Sequence, residues 1–569
     1  MNERYEKAKE LADKIDNEII AKFKQGYNFK VEAGAGSGKT YSLMKVLAWI
    51  KENSFSNYMK KGQKIACITF TNTAVNVIKE RLGEDSFIIP CTIHSFAWDA
   101  IKKYQKELIS FILCNDMLPK DFDIEKDIIK KVSYELGVKY FDNGVLYLFH
   151  NDVIELFSYM LDYHKFRIML ASQYPVIFID EYQDANEKII NQFIKYFIDE
   201  NSIPGIQFGF FGDSWQTIYK TNKAIGKIEN ENIFNINKIV NFRSCPEIIH
   251  CLNKIRPDLK QESAFEEGNG LVKVVHCNDY IGIRRTDGNF IGDLPPEEIR
   301  KRLNNIIKMF DKDSPPKVLM LTHKLLASQQ DYSNLYDNFG SGFKDNDDKL
   351  INFVASILEP VIFSLSKNDV KGLYETLGAN RPPILSQKHK LMWKKLNNTI
   401  QKSSNLTILE MLKIIYESKI VPMSDDIINI YENMINNPSE NYNNKATYEQ
   451  ISNIKYKEFE RAVAFLKPDS VFSTDHGVKG EEYDNVIFVI GKGWNLYDFE
   501  NMLVMDENTR KQKVDAYERN RNLFYVGCSR PRKKLILLIT CELKSEFNNY
   551  LAHIFGQNNI IAFNDYIEN

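Results

Sequence analysis

Cysteine is scarce in this chain of 569 residues, and its eight cysteines are scattered along the sequence. No Cys-x-x-Cys pair and no cluster of cysteine with histidine occurs, so neither a zinc site nor an iron–sulfur cluster is indicated. Apolar runs of about eighteen residues are also missing, which argues against a membrane-spanning helix. The charged first segment, MNERYEKAKELADKIDNEII, is not typical of a signal peptide. We therefore expect a cytoplasmic protein with reduced cysteines.

The chain also lacks a large net charge. The chain has 74 lysines and arginines against 76 aspartates and glutamates, so its formal net charge is −2. A polyanionic partner would therefore have to be bound by local basic patches and not by the overall field. At this length a single hydrophobic core is not expected, and we predict several globular units.

A glycine-rich segment, VEAGAGSGKTYSLMKV, begins at Val31. The strand-like YNFKVEA precedes its core and a stretch with helical spacing follows it, which is the setting of a phosphate-binding loop. The glycines let backbone N–H groups turn onto phosphates, while the lysine neutralises the β- and γ-phosphates and the threonine holds Mg²⁺. The predicted nucleotide-binding residues of this loop are Ala33, Gly34, Ala35, Gly36, Ser37, Gly38, Lys39 and Thr40.

A second strand pattern, YPVIFIDEYQDAN, ends in two adjacent acids. Asp180 is predicted to hold magnesium through water, and Glu181 to polarise the attacking water. Paired acids at a strand end also occur as solvated turn residues, but the phosphate loop upstream favours the catalytic interpretation. The two patterns together predict hydrolysis of a nucleoside triphosphate.

Eight motifs in order resemble those of superfamily 1 DNA helicases of the UvrD/Rep/PcrA type. They extend from about Val31 to Leu538 and read AGAGSGKT, IACITFTNTAVNVIKERL, CTIHSF, DEYQD, FFGDSWQTIY, NFRS, STDHGVKGEEYDNVIFV and RNLFYVGCSRPRKKL. The resemblance implies two RecA-like P-loop motor domains, each with a mainly helical insertion. It also implies ATP and Mg²⁺ as cofactors.

The resemblance assigns further residues to the nucleotide. Gln216 would sense the γ-phosphate or the attacking water, and Arg243 and Arg530 would reach the γ-phosphate from the second motor domain. Guanidinium suits that task because it stays charged and bonds two oxygens at once. Phe242 would stack on adenine, and Glu482 would bond the ribose.

The resemblance also implies a path for DNA. Hydroxyl, amide and lysine groups would contact phosphates, and aromatic rings would stack on unpaired bases. For the histidines, a buried structural role remains the alternative. The implied DNA-contacting residues are Phe70, Thr71, Asn72, Thr92, His94, Tyr219, His476 and Lys479.

Three departures from the family pattern affect what can be expected. No glutamine matches the one with which the family contacts the adenine edge, so selectivity for adenine is in doubt. Thr221 occupies the place of a base-stacking tryptophan, which implies weaker or differently coupled unwinding. Only a short segment follows Thr540, too short for a nuclease domain.

The predicted division follows the family. The first motor domain comprises residues 1–95 and 166–245 around a helical insert, 96–165. The second comprises 246–330 and 465–569 around an insert, 331–464. A basic stretch in that insert, SQKHKLMWKKLNNTIQK with Trp393, is either a DNA contact or a solvated helix face.

The main hypothesis is an ATP-dependent motor on single-stranded and tailed duplex DNA, moving 3′ to 5′ by resemblance. Compact members of this type resemble helicase subunits of bacterial anti-phage systems such as Gabija, which work beside a separate TOPRIM-containing ATPase–nuclease. A repair helicase is the other interpretation of the missing nuclease domain. The chief alternative is a DNA-end-sensing ATPase that regulates or recruits a nuclease with little unwinding. A small-molecule kinase or nucleotide-binding scaffold requires the later motifs to be accidental. No membrane partner is expected.

Overall fold

Strand and helix patterns of the sequence are present in the structure, which is a computed structural model. Its bounds for the first half of the chain are α1 Glu3–Lys24, β1 Asn28–Ala33, α2 Lys39–Lys60, β2 Ile65–Thr69, α3 Asn72–Leu82, β3 Ile88–Thr92, α4 Ile93–Ile101, α5 Gln105–Cys114, β4 Lys131–Tyr134, β5 Tyr140–Asp142, β6 Val145–Leu148, α6 His150–Leu161, α7 His164–Gln173, β7 Val176–Asp180, α8 Glu187–Phe193, β8 Gln207–Gly212, β9 Ile233–Lys238, β10 Val240–Asn241, α9 Pro246–Ile255, β11 Glu262–Ser263 and β12 Leu271–His276.

The second half is richer in helices. Its bounds are α10 Pro296–Lys308, β13 Lys317–Met320, α11 His323–Gln329, α12 Ser333–Phe339, α13 Lys349–Phe353, α14 Glu359–Lys367, α15 Val370–Leu377, α16 Gln387–Gln401, α17 Ile408–Ser418, α18 Asp425–Asn436, α19 Tyr448–Ser452, α20 Tyr456–Leu466, β14 Phe472–Thr474, β15 Tyr483–Ile490, α21 Phe499–Leu503, α22 Glu507–Gln512, α23 Val514–Cys528, β16 Pro531–Ile539, α24 Ser545–Phe555, β17 Ile560–Ala562 and α25 Phe563–Glu568.

The structure describes most of the chain, and statements about it concern the described residues alone. These are 3–83, 87–115, 117–119, 122, 128–135, 139–199, 205–217, 224–266, 268, 270–321, 323–340, 348–367, 369–378, 387–401, 405–466, 470–474, 481–492 and 497–568.

Two units make up the chain. The first consists of Met1–Val272, Phe499–Leu535 and Asn549–Gln557, and the second of Lys273–Asp498, Ile536–Asn548 and Asn558–Asn569. The unit that contains the phosphate loop thus also contains residues 499–535, which the sequence-based division assigned to a second motor domain. That division into six segments stays a prediction.

The first unit is built on a six-stranded sheet of order β3-β2-β7-β8-β1-β9 in which neighbouring strands run parallel. Parallel strands require crossover connections, and helices supply them here. Because all six strands run the same way, their carboxyl ends meet at one edge of the sheet. The segments that follow β1, β2, β3, β7 and β8 therefore begin at that edge, where ligands bind in open α/β sheets.

Both faces of this sheet are buried, as expected for a parallel sheet covered by helices. Successive side chains of β7 alternate between two hydrophobic cores: Val176 and Phe178 join one, and Ile177 and Ile179 join the other. The first core is completed from α1 and α2 by residues such as Ile19 and Leu43. Burial on both sides explains the near-continuous apolar run that ends in the two acids.

The predicted insert at residues 96–165 contains helices and also a small sheet. Strands β4, β6 and β5 form it, with β4 and β6 parallel and β5 and β6 antiparallel. Alternating side chains of β6 join the neighbouring core through Leu146 and Leu148. The insert is therefore less purely helical than expected, because period-2 burial stabilises strands in its second half.

The second unit contains a six-stranded sheet of order β14-β13-β15-β16-β12-β17 and a separate helical core. That core gathers buried residues of α11 to α20, from Ala327 to Val463. Trp393 of the basic stretch packs in it with an exposed fraction of 7%. Among the described residues, one helical stretch, Lys349–Lys367, is long and apolar enough to cross a membrane. Its residues Leu350, Val354 and Leu358 are buried in this same core.

Candidate active site

The phosphate loop follows β1 and leads into α2. Gly36 and Gly38 both have φ of 76°, a left-handed backbone that favours glycine. A Cβ on Gly36 would also lie 2.6 Å from Cβ of Arg243, so this position is restricted by space as well. The turn ends at Lys39, the first residue of a helix of 22 residues, and its backbone N–H groups can therefore bind an anion.

The two acids predicted from the strand pattern lie beside the loop. Asp180 ends β7, and its Oδ2 accepts a hydrogen bond of 3.5 Å from Oγ1 of Thr40. Nζ of Lys39 lies 3.4 Å from Oε2 of Glu181. Glu181 adopts φ of 50°, an uncommon conformation for a residue with a side chain, and such positions concentrate at functional sites.

The electrostatics of these groups are strongly coupled. Burial, together with the charge of Glu181, raises the pKa of Asp180 to about 7. Burial alone would lower the pKa of Lys39, but Glu181, Asp213 and Asp180 raise it above its ordinary value. Lys39 therefore stays charged, and the carboxylate of Asp180 is costly to ionise without further positive charge.

A magnesium ion fits this donor set. Mg²⁺ prefers oxygen ligands, is usually held by one or two protein groups and keeps several waters beside substrate phosphates. The hydroxyl of Thr40 and the carboxylate of Asp180 are oxygen donors of this kind, 3.5 Å apart. Positive charge there would also compensate the buried Asp180.

Gln216 and Arg530, which are 314 positions apart in the sequence, contact each other. Nη2 of Arg530 donates to Oε1 of Gln216 at 2.9 Å, and Nε2 of Gln216 donates to Oδ2 of Asp213 at 2.7 Å. Burial and the neighbouring Arg243 lower the pKa of Arg530 to about 9. Two guanidinium groups in one neighbourhood are unfavourable unless an anion lies between or beside them.

Arg243 lies in the same unit and donates from Nη1 to the carbonyl oxygen of Ser529 at 3.1 Å. Both predicted arginines thus belong to the unit of the loop. Phe242 is next to the loop as well, because its N–H donates to the carbonyl oxygen of Gly36 at 2.9 Å. Glu482, the predicted ribose contact, is exposed and belongs to the second unit.

Sequence reasoning did not identify three side chains that hold the loop. The hydroxyl of Tyr525 accepts a hydrogen bond of 3.1 Å from N–H of Ala35. Asn241 and Gln261 donate to the carbonyl oxygen of Ala35 at 2.6 and 3.1 Å. Tyr525 and Asn241 lie within motifs that had been recognised, whereas no local pattern pointed to Gln261.

A buried charge network behind the loop was also missed. Arg256, with an exposed fraction of 1%, pairs with Asp213 and, at 2.8 Å, with Oε1 of Glu32. The hydroxyl of Tyr182 donates to the other oxygen of Glu32. Burial opposes the charge of Arg256, but Asp213 raises its pKa above the ordinary value. The network joins the ends of β1 and β8, which carry the loop and the segment of Gln216.

The predicted DNA-contacting residues of the first motifs lie at the ends of β2 and β3. Phe70 is 43% exposed, and Asn72 begins α3. The hydroxyl of Thr71 caps α3 by accepting from N–H of Ala74 at 3.2 Å. The hydroxyl of Thr92 caps α4 by accepting from N–H of Ser95 at 3.3 Å.

His94 is half-buried and packs edge-on against His150, with ring centroids 5.0 Å apart. Burial and this neighbour lower the pKa of His94 to about 4. The imidazole is therefore neutral at physiological pH. Four predicted positions fall outside the described residues: Tyr219, Thr221, His476 and Lys479.

Comparison with known proteins agrees with these motifs. Residues 16–222 match the model of the AAA domain family. The chain is 25% identical to Gabija protein GajB of Bacillus cereus strain HuB5-5, over 96% of this chain and 98% of that protein. It is 24% identical to GajB of strain VD045, over 95% and 98%. It is 27% identical to the mitochondrial ATP-dependent DNA helicase HMI1 of Saccharomyces cerevisiae, over 42% of this chain and 39% of that protein.

The resemblance to UvrD-like helicases and to Gabija proteins is thereby confirmed. The predicted α/β fold with a P-loop motor is confirmed as well, since the matched domain contains the loop and five of the six strands of the parallel sheet. The comparisons also support a helicase-type ATPase.

Proposed function

We propose that this chain hydrolyses ATP and uses the energy to translocate on single-stranded DNA, unwinding duplexes 3′ to 5′. The observation that carries the proposal is that Lys39 of the loop lies beside Glu181, and that Arg530, paired with Gln216, is close enough to both for their charges to interact. A kinase does not need a carboxylate placed to activate water beside such a loop.

Each side chain has a defined task in hydrolysis. Lys39 neutralises the β- and γ-phosphates, and Glu181 accepts the proton of the attacking water. Gln216 bonds the γ-phosphate or the water and so distinguishes bound triphosphate from diphosphate. Arg530 and Arg243 stabilise the negative charge that develops during transfer. Magnesium, held by Thr40 and Asp180, would neutralise phosphate charge.

The hydroxyl of Tyr525 accepts a hydrogen bond from a backbone N–H of the loop that would donate to a phosphate oxygen when nucleotide is bound. This N–H belongs to Ala35, and the hydroxyl also lies 3.5 Å from Oδ2 of Asp213. Triphosphate binding therefore exchanges a protein acceptor for a phosphate oxygen. This exchange links the loop to α23, the helix that precedes Arg530, and gives a physical route from bound nucleotide to the arginines.

Coupling to DNA follows from the shared sheet. The nucleotide groups stand at the ends of β1, β7 and β8, and Phe70, Thr71 and Thr92 stand at the ends of β2 and β3. A displacement at the nucleotide groups is therefore passed to the DNA-contacting groups through the hydrogen-bonded sheet that carries both. Phe70 offers a stacking surface to an unpaired base.

The second candidate function is a DNA-end-sensing ATPase that regulates or recruits a separate nuclease. Thr221 favours it, because the family's stacking tryptophan is absent at that position. The partner would be a TOPRIM-containing ATPase–nuclease, and the role would be cytoplasmic defence against phage. The similarity to Gabija protein GajB of two Bacillus cereus strains supports the defence role.

One experiment separates the two functions. ATP turnover is measured with and without single-stranded DNA, followed by strand displacement on 3′- and 5′-tailed duplexes. A motor displaces the 3′-tailed duplex; a sensor shows DNA-stimulated turnover without displacement. Turnover that DNA does not stimulate would contradict both. DNA affinity should also fall as salt rises, because phosphate contacts release counterions.

A further inference from the structure

A loop of the second unit presents isoleucine side chains to solvent. It comprises residues 277–294, between β12 and α10, and we call it the isoleucine loop. Ile281 is fully exposed, Ile283 is 86% exposed and Ile291 is 62% exposed. In the part of the chain that the structure describes, Ile281 and Ile283 are the two most exposed large hydrophobic side chains. A single exposed apolar residue is ordinary, but three on one loop make a surface suited to binding.

Arg284 fixes the two ends of the isoleucine loop. Its Nη1 donates to the carbonyl oxygens of Gly292 at 3.2 Å and Thr540 at 3.0 Å, and its Nη2 donates to that of Cys277 at 2.7 Å. N–H of Leu294 also donates to the carbonyl oxygen of Thr540, at 3.3 Å. One guanidinium thus joins the start and the end of the loop to the residue that follows β16.

Backbone hydrogen bonds close the middle of the loop. N–H of Arg285 donates to the carbonyl oxygen of Asp293, and N–H of Gly292 donates to that of Arg285, both at 2.9 Å. Ile291 directly precedes Gly292, and Ile283 lies two residues before Arg285. The closure therefore holds both isoleucines at the same part of the loop. Such preorganisation lowers the entropy cost of binding.

The other charged side chains of the loop are paired within the second unit. Nε of Arg285 donates to Oδ1 of Asp287 at 2.8 Å. Asp293 is 1% exposed and accepts from two backbone N–H groups. Asp279 accepts from Nη1 of Arg302 at 2.8 Å. Because these charges are compensated locally, the surface that the loop presents is apolar and close to neutral.

Charge and shape decide which kind of partner fits. A nucleic acid is bound by cations that neutralise its phosphates, and both arginines of the loop are engaged in holding the loop itself. A second copy would present the same protruding loop, and two protruding surfaces do not complement each other across a twofold axis. Three isoleucine side chains supply roughly 300 Å² of apolar surface, while each partner in a stable interface buries about 800 Å². A groove that encloses the loop gains the remaining area from its backbone, where Gly282 and Gly292 carry no side chain.

We propose that the isoleucine loop binds a separate protein by inserting Ile281, Ile283 and Ile291 into a neutral, apolar groove of that protein. Apolar side chains that are fully desolvated in a pocket of the partner carry most of the binding energy of such an interface. None of the three belongs to the nucleotide site. The docking therefore goes beyond the proposed ATP hydrolysis and does not depend on it.

The test begins with photocrosslinking of the full chain in the cells that naturally encode it. Ile283 is replaced by the photoreactive amino acid p-benzoylphenylalanine, which on irradiation forms a covalent bond with a molecule lying against it. Val370, which is 60% exposed on α15 of the same unit, is the control position. Mass spectrometry identifies the adduct.

The captured protein is then purified, and calorimetry gives its Kd for the full chain without the crosslinker. The chain is compared as wild type and as Ile281→Ser, Ile283→Ser, the double variant of these two, Arg284→Lys and Val370→Ser. Circular dichroism checks that each variant is folded, and basal ATP turnover is measured on the same preparations.

A protein adduct is expected at position 283 and not at position 370. Ile281→Ser and Ile283→Ser should each weaken the purified pair by roughly tenfold, because an apolar anchor is lost. Arg284→Lys keeps the isoleucines and the charge, but an ammonium group does not span the three carbonyl oxygens. It should also weaken binding, since the loop loses its fixed shape. Val370→Ser should bind as wild type does, and basal ATP turnover should be the same in every variant.

Three results would overturn the proposal. The first is the absence of an adduct at position 283, and the second is an adduct with a second copy of this chain or with DNA. The third is an unchanged Kd of the captured protein for the folded double variant of Ile281 and Ile283. A fall in basal ATP turnover in the serine variants would overturn the independence of the docking from hydrolysis.

Discussion

The centre and the edge of the first sheet present side chains in different environments. At the ends of β1, β7 and β8, the charged and amide groups are buried: Asp180 is 5% exposed and Gln216 is 3% exposed. At the ends of β2 and β3, Phe70 is 43% exposed and the threonine hydroxyls cap helices near the surface. Both sets stand at the carboxyl ends of strands of one sheet.

The buried groups at the centre are suited to catalysis, and the exposed groups at the edge are suited to contact with DNA. In the buried centre, electrostatic interactions are strong because the local dielectric is low, and each charge needs a partner there. At the edge, a long polyanion can be met by groups that remain hydrated, and such contacts can be exchanged as the strand moves. Variants at the centre should therefore change turnover, and variants at the edge should change stability and DNA affinity.

The largest effect is expected at Lys39. Lys39→Ala should reduce ATP turnover to background, because the loop loses the cation that meets the β- and γ-phosphates. Lys60→Ala, at the exposed end of the same helix, is the control and should behave as wild type. Steady-state hydrolysis measures both. Retention of more than about a tenth of the wild-type rate would reject the loop assignment.

Arg530→Ala should lower DNA-stimulated turnover by about 10³ while DNA affinity stays nearly constant, since the guanidinium acts on the phosphate. Arg243→Ala should act in the same direction. Arg530→Lys keeps the charge but loses the two-pronged donor, so it should recover only part of the rate. Turnover and fluorescence anisotropy with labelled DNA separate the two properties. Loss of DNA binding with normal basal turnover would place the arginine on the DNA path.

Glu181→Gln should lower hydrolysis by about 10² and leave ATP binding intact, because an amide cannot accept the proton of the attacking water. The amide retains the shape of the side chain, so the left-handed backbone at this position is undisturbed. Calorimetric binding and hydrolysis are compared on the same preparation. A folded variant that no longer binds nucleotide would show that Glu181 holds the ligand instead.

At the edge, Thr92→Ala should destabilise the protein by about 1 kcal/mol, because α4 loses the cap on N–H of Ser95. Thr92→Ser keeps the hydroxyl and should retain the stability. Urea unfolding measures the difference, and basal ATP turnover should be unaffected in both variants. An unchanged unfolding free energy in Thr92→Ala would show that the hydroxyl is not used as a cap.

The smallest effect concerns the pH dependence of stability at His94. Its pKa is lowered from 6.5 to about 4, so between these pH values the unfolded chain binds more protons than the folded one. The contribution of His94 to the free energy of unfolding is therefore fully present above pH 6.5 and decreases as the pH falls towards 4. For a half-buried ring we expect a loss of about 1 kcal/mol.

His94→Gln should remove this pH-dependent contribution. The free energy of unfolding, determined at a series of pH values, measures the change. His164→Gln serves as a control on another helix. If the unfolding free energy changed with pH in the same way in His94→Gln and wild type, His94 would titrate with an ordinary pKa in the folded protein.

Much of the site could be predicted because the residues that identify it lie close together in the sequence. The loop from Ala33 to Thr40 needs glycines at fixed offsets between a strand and a helix, and the acids need a buried strand before them. These requirements appear as short patterns. The helical insert was predicted less well, because β4, β5 and β6 are short and acquire stability only by packing on their neighbours.

What the sequence by itself determined is the strand–loop–helix, the acid pair and the order of the motifs, since each depends on residues within a few positions of one another. Only the tertiary structure decided which partners these groups take. Ala35 bonds Tyr525, Gln216 bonds Arg530, and Arg256 joins Glu32 to Asp213. Contacts across such separations are created when helices and strands that are distant in sequence pack against one another, and no local pattern encodes that packing.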